Sequence, residues 1–178
     1  GDGTPEYFET RARLYEALAA KDAAASVAAA EAADDPFAWN LAAWYLRFEV
    51  GDAVAPAARA GETAVRESAG LRRLYRDTLA SVRNAQGRPG DALRLLDPLD
   101  RVPARRRVAS LWHEVFFAEA YLQKGEDTSA RHALERAARD RRVLPSLRKN
   151  PAFARFEDVF RDADESFFYD VLFGREGE

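Results

Sequence analysis

Asp77-Thr78-Leu79-Ala80, carried on through Gln86-Gly87-Arg88-Pro89-Gly90-Asp91-Ala92-Leu93, sets two apolar-periodic segments on either side of a glycine turn. Leucine and alanine sit on one helical turn, a glycine follows at a turn, and alanine and leucine then return. Two helices folded back on each other are predicted.

Working outward, glycines recur at Gly51, Gly87 and Gly125. Small residues follow each turn at Ala57, Ala92 and Ala130, and seven positions later stand Ala64, Leu99 and Ala137. Seven residues is about two helical turns, so each pair marks one face of a second helix, where a small side chain lets the first helix approach. The leucine alone breaks the pattern. Phe117-Ala118-Glu119-Ala120-Tyr121-Leu122-Gln123-Lys124-Gly125-Glu126-Asp127, followed by Ala130, Leu134 and Ala137, repeats the arrangement. Trp39 through Leu46 and then Ala57 to Val65 form a looser copy, with extra residues around Glu49-Val50-Gly51.

These residues resemble the tetratricopeptide repeat family, whose period is about 34 residues. The resemblance covers roughly residues 4 to 143 and is best from 71 to 143. It implies an all-α fold: an α-solenoid of antiparallel helical hairpins, wound as a right-handed superhelix with terminal capping helices. One domain, 1–178, is expected, with a degenerate amino-terminal repeat or cap at 4–36, repeats at 37–70, 71–104 and 105–143, and capping helices at 144–178. In the first segment Phe8, Ala12, Tyr15 and Leu18 share a face, and the turn Ala20-Lys21-Asp22 lacks a glycine. In the last, Pro151 splits short helices, and Phe153, Phe156, Phe160, Phe167, Phe168, Tyr169, Leu172 and Phe173 supply an apolar face suited to closing the stack or to self-association.

Start signals agree with helices. Asp35-Pro36, Asp52, Thr128 and Asn150-Pro151 are expected caps, since a short polar side chain accepts from unpaired backbone amides and proline tolerates the first helical position. Pro56 is placed in the first turn of its helix and Pro103 in a connection.

The 178 residues suit one continuous core, and the 47% hydrophobic content is largely alanine. Arginine outnumbers lysine heavily, as in proteins of high-GC bacteria. With no cysteine, thiol catalysis, disulfides and thiolate metal sites are excluded. No apolar run approaches the ~20 residues that span a bilayer and no signal peptide is evident, so a soluble domain, cytoplasmic or periplasmic, is expected, either a mature form or a piece of something longer. Charge is uneven: residues 1–70 hold six basic and twelve acidic side chains, whereas 71–148 hold seventeen and ten.

Little in the chain points to catalysis. His113 and His132 lie on successive helices without metal-ligand spacing and read as structural or surface residues. Asp34-Asp35 and Asp162 with Asp164 and Glu165 read as capping and solvated groups. Gly87-Arg88-Pro89-Gly90 is not a phosphate loop. No enzyme and no cofactor are expected.

The resemblance implies a peptide or protein partner in a concave groove formed by the first helices: Trp39, Asn40, Ala43 and Arg47, then Asp77, Thr78, Ser81 and Asn84, then Trp112, Val115, Phe116 and Glu119. Some family members clamp a terminal carboxylate with lysines and asparagines; Asn40 alone matches, and Asp77 and Glu119 would repel the ligand. A second surface is the basic patch of Arg72, Arg73, Arg76, Arg101, Arg105, Arg106 and Arg107, which could dock phosphates of nucleic acid or anionic lipid. Its interruption, the lack of interleaved aromatics and the chain's pI of about 5.6 weigh against that use. The remaining alternative is a spacer or oligomerisation module of a larger protein.

Overall fold

The computed structural model describes residues 4–51, 53–68, 73–96 and 110–173, with side chains in the last helix through Ser166. Every regular element among them is helical: α1 Pro5–Ala19, α2 Ala23–Ala33, α3 Pro36–Phe48, α4 Val54–Glu67, α5 Arg73–Ala85, α6 Pro89–Leu95, α7 His113–Gln123, α8 Asp127–Ala138, α9 Leu144–Lys149, a 3-10 turn Pro151–Phe156 and α10 Glu157–Phe173. The chain divides into two compact units, residues 1–110 and 111–178.

Local chemistry explains the helix starts. Thr4 accepts from the Tyr7 amide at 3.3 Å and Asp22 from that of Ala25 at 2.9 Å. Asp35 accepts from Ala38 at 2.9 Å with Pro36 in the first helical position, as the sequence predicts. Asn150 likewise accepts from Ala152 at 3.0 Å, but the element it opens is the 3-10 turn rather than an α-helix. Thr128 is no cap: α8 begins one residue earlier, behind Glu126, without a side-chain cap. Asp52 and Pro103 lie outside the described residues.

Three helix ends share one hydrogen-bond pattern. After α5, Gly87 at φ +67° donates to Asn84 O and Arg88 donates to Arg83 O; after α7, Gly125 at φ +75° and Glu126 do the same to Leu122 O and Tyr121 O. After α1 the left-handed position is taken by Lys21 at φ +55°, with Lys21 donating to Leu18 O and Asp22 to Ala17 O. The turn without a glycine thus adopts the glycine geometry, which satisfies two orphan carbonyls against the steric cost of a Cβ.

In the first unit each helix packs on the next, from α1 to α6, and α1, α2 and α3 also meet the next helix but one, respectively α3, α4 and α5. Leu14 and Leu18, Val27 and Ala30, Trp39, Ala43 and Leu46, and Ala57, Ala60 and Ala64 close into one buried cluster. Alanine at so many contacts brings backbones near one another. At Gly61 in α4 an added Cβ would stand 3.2 Å from Leu79 Cδ1 on α5 and 3.6 Å from Ala43 Cβ on α3. Of the expected small-residue pairs, Ala57, Ala64, Ala92, Ala130 and Ala137 are buried, and Leu99 lies outside the described residues.

In the second unit α7 packs on α8, and α9 and α10 cover α8. Val143, Leu147, Phe153, Phe156 and Phe160 are buried there, so the first half of the aromatic tail folds onto its own unit. Arg131 on α8 clasps Asp158 in the first turn of α10, at 2.6 and 3.4 Å, and its guanidinium lies 5.5 Å from the Phe156 ring. That hydrogen bond holds the Asp158 carboxyl below its ordinary range. Arg155 and Asp127 tie the 3-10 turn to the start of α8. The side chains of Phe167, Phe168, Tyr169, Leu172 and Phe173 lie outside the described ones.

Candidate functional site

Of the expected groove residues, eleven lie on α3, α5 and α7 and Trp112 stands at the N-cap of α7; most of them are buried. Trp39, Ala43, Asp77, Thr78, Ser81 and Asn84 are buried, as are Val115 and Phe116 in the second unit. Their polar groups are engaged inside the fold: Thr78 Oγ1 donates to Leu74 O at 3.1 Å, Ser81 Oγ donates to Thr78 O at 2.7 Å, and Asp77 Oδ2 accepts from the Ser110 amide at 2.7 Å. With their hydrogens given to their own helix and their side chains buried, these hydroxyls are not presented to an extended peptide. Asn40 is also buried, with Oδ1 lacking a hydrogen-bond partner. Of the twelve, Arg47, Trp112 and Glu119 keep partial exposure. Indole and amide burial here is the outcome of inter-helix packing, which a single helical wheel does not disclose.

Of the basic patch, Arg72, Arg101, Arg105, Arg106 and Arg107 lie outside the described residues. Arg73 opens α5, and Arg76 donates to Arg94 O at 3.3 Å. His113 is buried edge-on to Phe117, 5.2 Å between ring centroids, and His132 is exposed. Among the described residues no three histidine or carboxylate side chains converge as a metal set would. An open cleft of about 460 Å³ in the second unit is lined by Arg131, Arg139 and Arg141 but also by Glu135 and Asp162, so opposite charges offset within it.

A different surface stands out. The large apolar side chains left exposed among the described residues are Phe8, Tyr15, Phe37, Phe48, Leu74 and Leu111. Four of them fall on α1 and α3 in one repeated spacing. Phe8, Ala12, Tyr15 and Ala19 follow one another at four, three and four residues, and Phe37, Leu41, Trp44 and Phe48 do the same. This is the spacing of a continuous apolar stripe on a helix. Phe8 is 61% exposed and Tyr15 53%, whereas Leu14, Ala17 and Leu18 turn inward. Of the four residues that the sequence places on one face of the first segment, Phe8, Ala12 and Tyr15 are exposed and Leu18 is buried.

The two stripes belong to one surface. Arg11 lies one turn from both Phe8 and Tyr15, and its guanidinium is 4.7 Å from the Phe37 ring and 4.9 Å from that of Tyr7. Its Nη2 donates to Asp35 Oδ2 at 2.8 Å. On α3 the Trp44 and Phe48 rings approach to 4.4 Å, Arg47 lies 4.8 Å from Phe48, and Arg47 Nε donates to Ser81 O of α5 at 3.2 Å. Both arginines thus serve as struts between neighbouring helices, holding the rings where solvent reaches them. The sequence signal was present: two helices repeat the same four-three-four spacing 29 residues apart. What the spacing could not say was which stripe faces out.

Comparison of the chain with protein-family models, with curated proteins and with solved structures returns no significant match.

Proposed function

We propose that this chain is a protein-interaction scaffold, a tetratricopeptide-like solenoid with a right-handed winding, which binds a partner rather than transforming a substrate. Supporting the solenoid reading are the contacts of α1, α2 and α3 with the next helix but one, the recurring left-handed turns, and the alanines at helix contacts. The observation that carries the binding reading is the aromatic surface shared by α1 and α3, with Phe8, Tyr15, Phe37 and Phe48 exposed around two arginines already engaged within the fold. A contiguous apolar surface in water marks an interaction site when it exceeds scattered single residues, and aromatic rings are the commonest anchors of such sites.

The alternative is a spacer or oligomerisation module, and the phosphate-docking patch is the least supported reading. Affinity capture separates the first two. The wild type and a Phe8→Ser/Tyr15→Ser/Phe37→Ser variant with unchanged helical content would be presented to a cell lysate and retained proteins compared. A protein retained by the wild type and lost by the variant supports the α1/α3 surface. Identical retention by both moves binding elsewhere, and no retention by either favours the spacer.

A further inference from the structure

Taking the α1/α3 surface as the binding face, we infer that its ligand is a cationic, apolar protein segment: three or four aliphatic or aromatic side chains at helical spacing, flanked by lysine or arginine. The apolar requirement follows from the two stripes. Each runs eleven residues, about 16 Å along its helix, so together they form a bed as long as three helical turns of a ligand. The charge follows from what borders them. Glu9 and Glu16 flank the α1 stripe, and Glu49 closes the end of the α3 stripe; all three are exposed, and none forms an ion pair among the described residues.

The cations nearby are less available. Arg11 is paired with Asp35 and stacked on Phe37, whereas Arg47 keeps its charge against the neutral Ser81 carbonyl but is half-buried beside Phe48. Arg13 is exposed on the turn between Glu9 and Glu16 and offsets one of them. Residues 1–50 as a whole carry four basic against nine acidic side chains, a net −5. An anionic segment approaching this face would be repelled over about a Debye length, and a cationic one attracted. The acidic tail of a second copy, with Asp162, Asp164 and Glu165 on α10, has the wrong sign to seat here.

The test is selection from a random peptide display library on the full-length chain, with binding of the enriched peptides measured by fluorescence anisotropy. Three targets are compared: wild type, Phe8→Ser/Phe37→Ser, and the charge-reversed Glu9→Lys/Glu16→Lys/Glu49→Lys. All altered positions are exposed, and circular dichroism verifies that each variant is folded. The expected result is enrichment of basic peptides with apolar residues three and four apart. They should bind the aromatic variant at least about tenfold more weakly, and the charge-reversed variant about tenfold more weakly at low salt. Enriched peptides that lose affinity on the aromatic variant but are neutral or acidic overturn the inferred charge and leave the binding face standing. Peptides indifferent to the aromatic variant, or no enrichment at all, overturn both. Self-association of the wild type abolished by Phe8→Ser/Phe37→Ser identifies a second copy as the occupant and also overturns the inference.

Discussion

Lys21 carries a backbone conformation that glycine carries at two other helix ends. Its φ of +55° sits beside +67° at Gly87 and +75° at Gly125, and its amide and the next make the same pair of bonds to the helix behind. Lys21→Gly is therefore expected to stabilise the chain by about 0.5–1 kcal/mol in urea unfolding, since the left-handed Cβ strain it removes exceeds the entropy glycine adds. Gly87→Ala and Gly125→Ala should each destabilise by about 1 kcal/mol. Nothing lies within 4 Å of a Cβ built at either glycine, so the effect is conformational rather than steric. A destabilised Lys21→Gly would mean that the lysine side chain makes a contact worth more than its strain.

Asp158 gives a pH dependence with a definite sign. Its carboxyl is held below the ordinary range chiefly by the hydrogen bond from Arg131. A carboxylate with a depressed folded-state pKa contributes stability above its unfolded value, and loses it as pH falls through the folded one. Asp158→Asn should lower the melting temperature near neutral pH and leave it unchanged in strong acid, where both proteins lack the charge. An equal difference at both pH values would assign the effect to packing around Phe156 instead.

At the scale of the helices, α4 meets α3 and α5 through a glycine. Gly61 is buried between Ala43 and Leu79, and a Cβ there would meet the mobile end of Leu79 at 3.2 Å. Gly61→Ala gains helix propensity of about 1 kcal/mol and asks Leu79 to yield slightly, so its stability should stay within about 1 kcal/mol of wild type. Gly61→Leu has no such room and should destabilise by about 3 kcal/mol or more. Thermal melts of the pair check both; a tolerated leucine would show that α4 and α5 can separate. Small residues following each turn were legible as contacts because they recur behind the turn glycines; the interval alone does not suffice, since Ala12 and Ala19 share it and are exposed. Gly61 itself was not, since a glycine inside a helix looks the same in sequence whether it weakens an exposed turn or admits a neighbour.

For the whole molecule, the overall charge of −3 hides an acidic amino-terminal region and a basic middle. Two copies meeting through their α1/α3 surfaces would set like charges against each other. Sedimentation should therefore find any face-to-face association weakest at low ionic strength and growing as salt screens the repulsion, the reverse of an ion-paired dimer. Association strongest at low salt would point to contact between oppositely charged regions. No association abolished by Phe8→Ser/Phe37→Ser is expected, because the face is inferred to take a cationic segment rather than a second copy.

Helical class, the positions of the turns, the Asp35-Pro36 start and the two apolar stripes were all determined by the sequence, because each depends on residues within a turn or two of one another. Which side of a helix meets solvent was not. Trp39 and Phe37 are two residues apart on α3, both aromatic, and packing buries the first and leaves the second 42% exposed. The polar row Asp77, Thr78, Ser81 and Asn84 reads as a wet groove until helix packing and the Ser110 amide enclose it. Inward and outward are properties of the assembled helices: burial follows from what packs against each side, and a chain's own periodicity contains that information only up to a rotation about the helix axis.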